Sequence, residues 1–300
     1  MDRFEAMSTL LAAIEGGSLS AASRKLGMPL ATVSRKVSEL EAHLRAKLVH
    51  RTSRKLTLTV AGRSYVAAAK KIMEDIQEAE RAAMGEYSAP RGELHIAAPI
   101  VFGRLHVLPV AIEFLKAYPD IDIHIGLADR MTNLLEEHVD LAVRIGELAD
   151  SSLIAAKVGT IGRVVCGSPA YFEERGLPRS PHELAAHDCI TFEGSMASGA
   201  WIFPSGKSDI AVHIHSRLTV NTAEAAIDAA MAGMGVTRVL SYQIAEAIRA
   251  GTLVAALEAF EPVQSPVSLV YAGQGLMPLK IRAFLDFASP RLKAKLLELT

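Results

Sequence analysis

The 300 residues, half of them hydrophobic and 22% charged, hold enough apolar material for a substantial core and exceed one average domain, which excludes a disordered chain and fits a small module joined to a larger one. The net charge of -1 conceals an asymmetry: positions 20–63 carry ten Lys and Arg against only Glu39 and Glu41, so this stretch is strongly basic and the remainder net acidic. No basic n-region opens the chain and no run of about 18 apolar residues follows, so export and membrane insertion are not expected and the cytoplasm is.

In chain order, Phe4, Met7, Leu11 and Ile14 are spaced 3, 4 and 3 apart, which predicts a helix with that buried face ending at Gly16-Gly17. Ser18 and Ser20 can cap a short second helix whose Ala21, Ala22 and Leu26 form a small packing face, and Gly27 supplies a sharp turn. Pro29 suits the first position of a third helix, where Val33, Val37, Leu40 and Leu44 form the buried stripe. Ala31, Thr32, Arg35 and Ser38 then point away from that stripe, with Ser34 and Lys36 on its flanks. Charge alone would suit any solvated surface. Two helices at a glycine turn, the second showing small, hydroxyl and guanidinium groups at its start, are what entry into a DNA major groove requires.

The segment SLSAASRKLGMPLATVSRKV, residues 18–37, is similar to the helix-turn-helix of LysR-type transcriptional regulators, and the similarity continues through ELEAHLRAKLVHRTSRKLTLTVAG. The resemblance implies a winged helix-turn-helix over residues 1–60, with wing strands at 48–50 and 56–58 and with Arg51, Arg54 and Lys55 on the wing loop. Ser20, Ala31, Thr32, Ser34, Arg35, Lys36 and the three wing cations are the expected DNA contacts. The loop cations would meet phosphates, whereas Thr32 and Arg35 can reach base edges. The chain departs from the family at Pro29 and Leu30, where serine and glutamine are common, and at Arg45, where glycine is usual. Leu30 is therefore expected to offer a thymine methyl an apolar contact in place of an amide. A left-handed Arg45 would cost on the order of 1 kcal/mol.

Residues 59–87 lack proline, and Tyr65, Ala69, Ile72, Ile76, Ala79 and Ala83 follow a 4, 3, 4, 3, 4 spacing with Met73 beside them. A linker helix of roughly 40 Å is too long for a sixty-residue module to cover. A second chain covering this seam is the favoured reading; packing on the chain's own second domain is the alternative. A homodimer or tetramer would let paired modules read a palindromic promoter site.

After the hinge at residues 88–92, strands are predicted at 93–98, 121–127, 140–145, 163–167, 189–192, around 210–220, at 236–240 and at 267–272. Helices are predicted at 104–118, 132–138, 169–175, 223–232, 242–250 and from 279. This α/β alternation resembles the effector domain of the same regulators, built like a type 2 periplasmic binding protein. The resemblance implies one lobe from 92–162 with 268–300 and another from 163–267. An effector is expected at strand ends and helix starts, where free N–H groups favour an anionic metabolite: Pro99, Ile100, Val101 and Phe102, then Gly146, then Asn221 and Thr222. Ser195 and Trp201 lie on a loop that could close over it. Phe102 and Trp201 are equally readable as core, and Asn221 as a plain helix cap.

Catalytic motifs fail on spacing. Gly206-Lys207-Ser208 lacks the upstream P-loop glycine, Gly233-Met234-Gly235 lacks the third glycine of a dinucleotide site, and Gly194-Ser195-Met196-Ala197-Ser198 ends in serine where a nucleophile elbow needs glycine. His213 and His215 find no partners for a metal site, so neither metal nor cofactor is expected. Cys166 and Cys189 read as reduced core thiols, with a redox switch the less favoured reading. The expectation is therefore a non-enzymatic regulator contacting double-stranded promoter DNA, a small-molecule effector, its own copies and, potentially, RNA polymerase. The alternative is a solute-binding module or enzyme fused to a helix-turn-helix.

Overall fold

A computed structural model describes residues 2–51, 56–83, 89–130, 133–134, 137–148, 153–192, 200–205, 209–261, 263–273 and 277–298. The chain divides into two compact units, Met1–Ser88 and Ala89–Thr300.

In the first unit, Asp2 caps helix α1 (Arg3–Glu15), its carboxylate accepting from the Phe4 and Glu5 N–H groups at 2.9 and 3.2 Å. Ser18 caps α2 (Leu19–Leu26), which ends on left-handed Gly27. Helix α3 (Leu30–Leu44) follows, with Pro29 at the N-cap, one position earlier than expected, and Arg45 closing it at φ 51°. Strands β1 (Val49–Arg51) and β2 (Leu56–Leu58) pair antiparallel as a small hairpin, and α4 runs Val60–Ala83.

Two expected packing faces are displaced. On α1 the buried line is Ala6, Leu10 and Ala13 with Met7, while Phe4 is 52% exposed and Leu11 and Ile14 are half-buried. Alanines let the neighbouring helices approach, which moves the larger side chains to the rim. On α3 Leu44 is 37% exposed, and the buried position beyond Leu40 is Glu41. Its carboxylate accepts from the Leu48 and Val49 N–H groups at 2.9 and 3.2 Å and pairs with Lys47 at 3.0 Å, fastening the wing to α3. The start of α4 is fixed by Thr59, whose hydroxyl donates to Lys47 O and accepts from Gly62 N. Gly62 is obligatory, since a Cβ there would lie 1.9 Å from Leu48 O.

In the second unit the chain runs β3 (Gly92–Ala98), α5 (Ile100–Phe102), a π turn (Gly103–Val107), α6 (Leu108–Ala117), β4 (Ile121–Leu127), β5 (Leu141–Ile145), β6 (Leu153–Ile161), β7 (Arg163–Gly167), α7 (Pro169–Arg175) and β8 (Asp188–Phe192). It continues through β9 (Ala200–Phe203), β10 (Ile210–His213), β11 (His215–Val220), α8 (Ala223–Met231), β12 (Val236–Leu240), α9 (Ser241–Arg249), β13 (Val254–Ala256), β14 (Ser265–Ala272) and α10 (Leu279–Leu297). Two five-stranded sheets result, ordered β4-β3-β5-β14-β6 and β11-β8-β12-β7-β13. Each has three parallel strands followed by two joined antiparallel. The chain passes between the sheets at Gly162 and again before Ser265, and Gly162 O accepts from Ser241 N at 2.9 Å.

Residues 265–267, read from the sequence as lobe two, lie in β14 of the first sheet. Residues 132–138 do not form the expected helix among the described residues. Glu137 N donates to Asn133 O at 3.0 Å, His138 takes φ 53°, and β5 follows from Leu141. Leu94, Ile96, Phe102, Phe114 and Phe284 anchor the core of the first sheet. The second sheet is packed by Val165, Trp201, Phe203 and Val236 on one face and by Cys166, Ile190 and Ala226 on the other.

Candidate nucleic-acid interface and effector crevice

The outward side of α3 begins with Leu30 and Ala31, both exposed, and continues through Arg35, whose side chain is 69% exposed and stands 3.9 Å from Glu39. Thr32 and Ser34 are half-buried beside them, and Ser20 is exposed at the start of α2. Lys36 does not belong to this surface. Its side chain is only 15% exposed and is paired with Glu5 of α1, so its charge ties two helices together. The Arg51 side chain, Arg54 and Lys55 lie outside the described residues. Exposed cations that remain on the unit include Arg24, Arg45 and Lys47, the last beside Glu41.

Burial pushes the Glu41 carboxyl up, but the Lys47 ammonium and the Leu48 and Val49 N–H groups outweigh it and hold the group below its ordinary range. Sequence reasoning missed Glu41 because charge argued for solvent. The available signal was its place four residues after Val37, on the line of the buried stripe.

The expected dimer seam is partly used within the chain. Ala69 is 1% exposed, Tyr65 packs beside the core with Val66, and Met73 S lies 3.8 Å from the Ser8 hydroxyl of α1. Ala69 is therefore not available to a partner, because α1 and the start of α4 pack together. Ile72 is 45% exposed and Ile76 half-buried, while the side chains of Ala79 and Ala83 lie outside the described residues.

In the second unit, Pro99 and Gly146 line one cavity of about 470 Å³ at the ends of β3 and β5, together with Asp129, Arg130, Arg144 and Glu147. Three expectations for this crevice need correction. Val101 and Phe102 are 3% and 0% exposed and belong to the core, where Phe102 packs on His106 and Tyr242 at 4.8 and 5.5 Å between ring centres. Trp201 is 2% exposed in the core of the second sheet, as β9 rather than loop. The N–H of half-buried Ile100 is taken by the Asp129 carboxylate at 3.0 Å, so this helix start already faces an anion of the chain itself. Ser195 lies outside the described residues.

Thr222 caps α8, accepting from Ala225 N at 3.3 Å, and Asn221 is exposed just before it. Neither lines the cavity at Pro99. An ion pair between Arg104, in the π turn, and Glu224, in the first turn of α8, spans 3.0 Å and links these two segments across the sheets. Burial lowers His106 to about 4, with the charge of Lys295 adding to it. Burial raises the Cys166 and Cys189 thiols to about 12, which makes both unreactive core residues.

Residues 4–63 match the profile of the bacterial regulatory helix-turn-helix protein, lysR family, and residues 88–293 match that of the LysR substrate binding domain. An HTH-type transcriptional repressor of Pseudomonas aeruginosa (strain UCBPP-PA14) is 32% identical over 289 residues, 96% of this chain and 91% of the relative. The HTH-type transcriptional activator TtdR of Escherichia coli (strain UTI89 / UPEC) is 27% identical over 94% of this chain and 91% of its own. The structure of CrgA, a LysR-type transcriptional regulator from Neisseria meningitidis, superposes with a TM-score of 0.62 at 29% identity, covering 96% of this chain and 98% of that one. Helix-turn-helix, exposed α3 face and two-sheet effector domain thus agree with these matches from end to end, and the chain belongs to the LysR family of DNA-binding transcriptional regulators.

Proposed function

We propose that the chain binds a palindromic promoter site as a homo-oligomer in the cytoplasm and that a small molecule in the second unit governs that binding. The observation that carries the DNA half is the exposed start of α3, where Ala31 and Arg35 face outward within the strongly basic stretch 20–63. Arg35 reads a base edge, Leu30 and Thr32 flank it, and the wing cations meet phosphate. Exposed Ile72, one turn beyond buried Ala69 on the same side of α4, supports pairing of the later part of α4 with a second copy.

The effector occupies the crevice at Pro99 and Gly146, whose volume suits a small metabolite. Its chemistry follows from mixed charge. Arg130 and Arg144 line it together with Asp129 and Glu147, which supports a small organic acid that also presents a hydrogen-bond donor. Closure around it would alter the Arg104–Glu224 link between the two sheets, and RNA polymerase recruitment is the downstream event that such a shift would modulate. The relatives named above are regulators, which supports a non-catalytic role.

The test is a thermal-shift screen of the full chain against hydroxy acids, amino acids and plain carboxylates, followed by operator binding with and without the best hit. Linkage requires the ligand's affinity to change on the operator by the same factor that the operator's affinity changes with ligand. Equal affinities with and without operator would reject the coupling.

A further inference from the structure

We propose a divalent transition-metal site on the first sheet, formed by Glu93, His95 and His124. Strands β3 and β4 are parallel and in register, with Glu93 opposite Asp122 and His95 opposite His124. Leu94 and Ile96 alternate into the core, and Ile121, Ile123 and Ile125 follow them from β4, so the intervening Glu93, His95, Asp122 and His124 emerge together on the other face. The two imidazoles stack with ring centres 4.9 Å apart and 10° between planes. Glu93 Oε2 lies 3.5 Å from His95 Nε2, and one ligand atom from each of Glu93, His95 and His124 lies within 4.8 Å of the others.

Two imidazole nitrogens and one carboxylate oxygen suit zinc and its neighbours, not calcium or magnesium, which take oxygen sets. A tetrahedral ion with bonds of about 2.0–2.1 Å wants its ligand atoms roughly 3.4 Å apart. The widest separation, up to 4.8 Å, therefore has to close by rotation of the side chains out of the ring stack. The side chains can turn, since His95 and Glu93 are 42% and 37% exposed there. Water fills the fourth position. A bound ion would tie β4, the outer strand of its sheet, to β3 through side chains as well as through the backbone ladder. The signal in the sequence is the pair of alternating segments Glu93-Leu94-His95 and Asp122-Ile123-His124, which become a site only when parallel pairing sets them level.

The test is calorimetric titration of chelator-stripped full chain with zinc, paired with thermal melts and with the optical spectrum of cobalt as a geometric probe. The site predicts one zinc per chain, a higher melting temperature on loading, and a loss of affinity of about tenfold or more in His95→Asn and in His124→Asn. Glu93→Gln should weaken binding less, and His213→Asn with His215→Asn not at all. The variants sit on the outer sheet face, so circular dichroism and retained DNA binding check that they fold. No zinc uptake by the folded wild-type chain, or uptake that survives His124→Asn, would overturn the proposal.

Discussion

Replacing Glu41 by alanine tests whether one buried carboxylate holds the wing to the recognition helix. The side chain is 3% exposed and accepts two backbone N–H groups, Leu48 at 2.9 Å and Val49 at 3.2 Å, inside a core that also contains Leu48 and Val49 themselves. Its loss leaves two buried donors without an acceptor, at about 1–3 kcal/mol each, so roughly 2–6 kcal/mol in all. That is a large share of the 5–15 kcal/mol that typically stabilises a domain. Glu41→Gln keeps an acceptor and should lose only about 1 kcal/mol. Native-state hydrogen exchange at the Leu48 and Val49 amides isolates this unit from the other, and the alanine cost corresponds to exchange faster by roughly 30-fold to about 10,000-fold. The folded carboxyl titrates below its unfolded value of 4.5, so the stabilisation is present above that pH and is lost as pH falls through the folded value. Wild type and Gln variant should therefore converge in acid. Unchanged protection of both amides in Glu41→Ala would refute the reasoning.

Gly62→Ala should separate α4 from the wing, because its Cβ would meet Leu48 O at 1.9 Å; operator titrations should show at least about a tenfold loss, and wild-type affinity would contradict this. Arg45→Gly relieves a left-handed φ of 51° and should stabilise the first unit by up to about 1 kcal/mol, while lowering the slope of log affinity against log salt by about one. An unchanged slope would place Arg45 away from phosphate. His106 is lowered from 6.5 to about 4, so the unfolded chain takes a proton that the folded one refuses. Stability should be complete above about pH 6.5 and fall as pH drops toward 4, by up to one proton in slope, and His106→Phe should flatten that fall in urea-midpoint measurements across the range.

Much of the first unit was legible because its signals are local. Ser18, Gly27 and the Val33-Val37-Leu40 stripe each act within a few residues, and the structure places each as expected. Errors arose where a residue's neighbours come from elsewhere in the chain. Lys36 looked free until α1 brought Glu5 to it, and Ala69 looked like seam until α1 covered the start of α4. Strand β6 was missed because Ala155, Ala156 and Gly159 carry little β preference; pairing with β14 makes it a strand. Strand ends and glycine single out Pro99 and Gly146, which do line one cavity, but they do not reveal its charge. Asp129 reaches Ile100 N from 29 positions away, a contact that only the β3–β4 pairing creates.

Arg35, at the exposed start of α3, is the residue we propose for sequence recognition. The direct measurement is a binding selection from a random duplex library with the full chain and with Arg35→Ala, each at two salt concentrations. Wild type should show a palindromic preference, and the variant should lose preference at one symmetric pair of positions, worth about 1–3 kcal/mol per half-site. An unchanged selected sequence, with affinity reduced equally for every duplex, would make Arg35 a phosphate contact and rule out its role in base recognition.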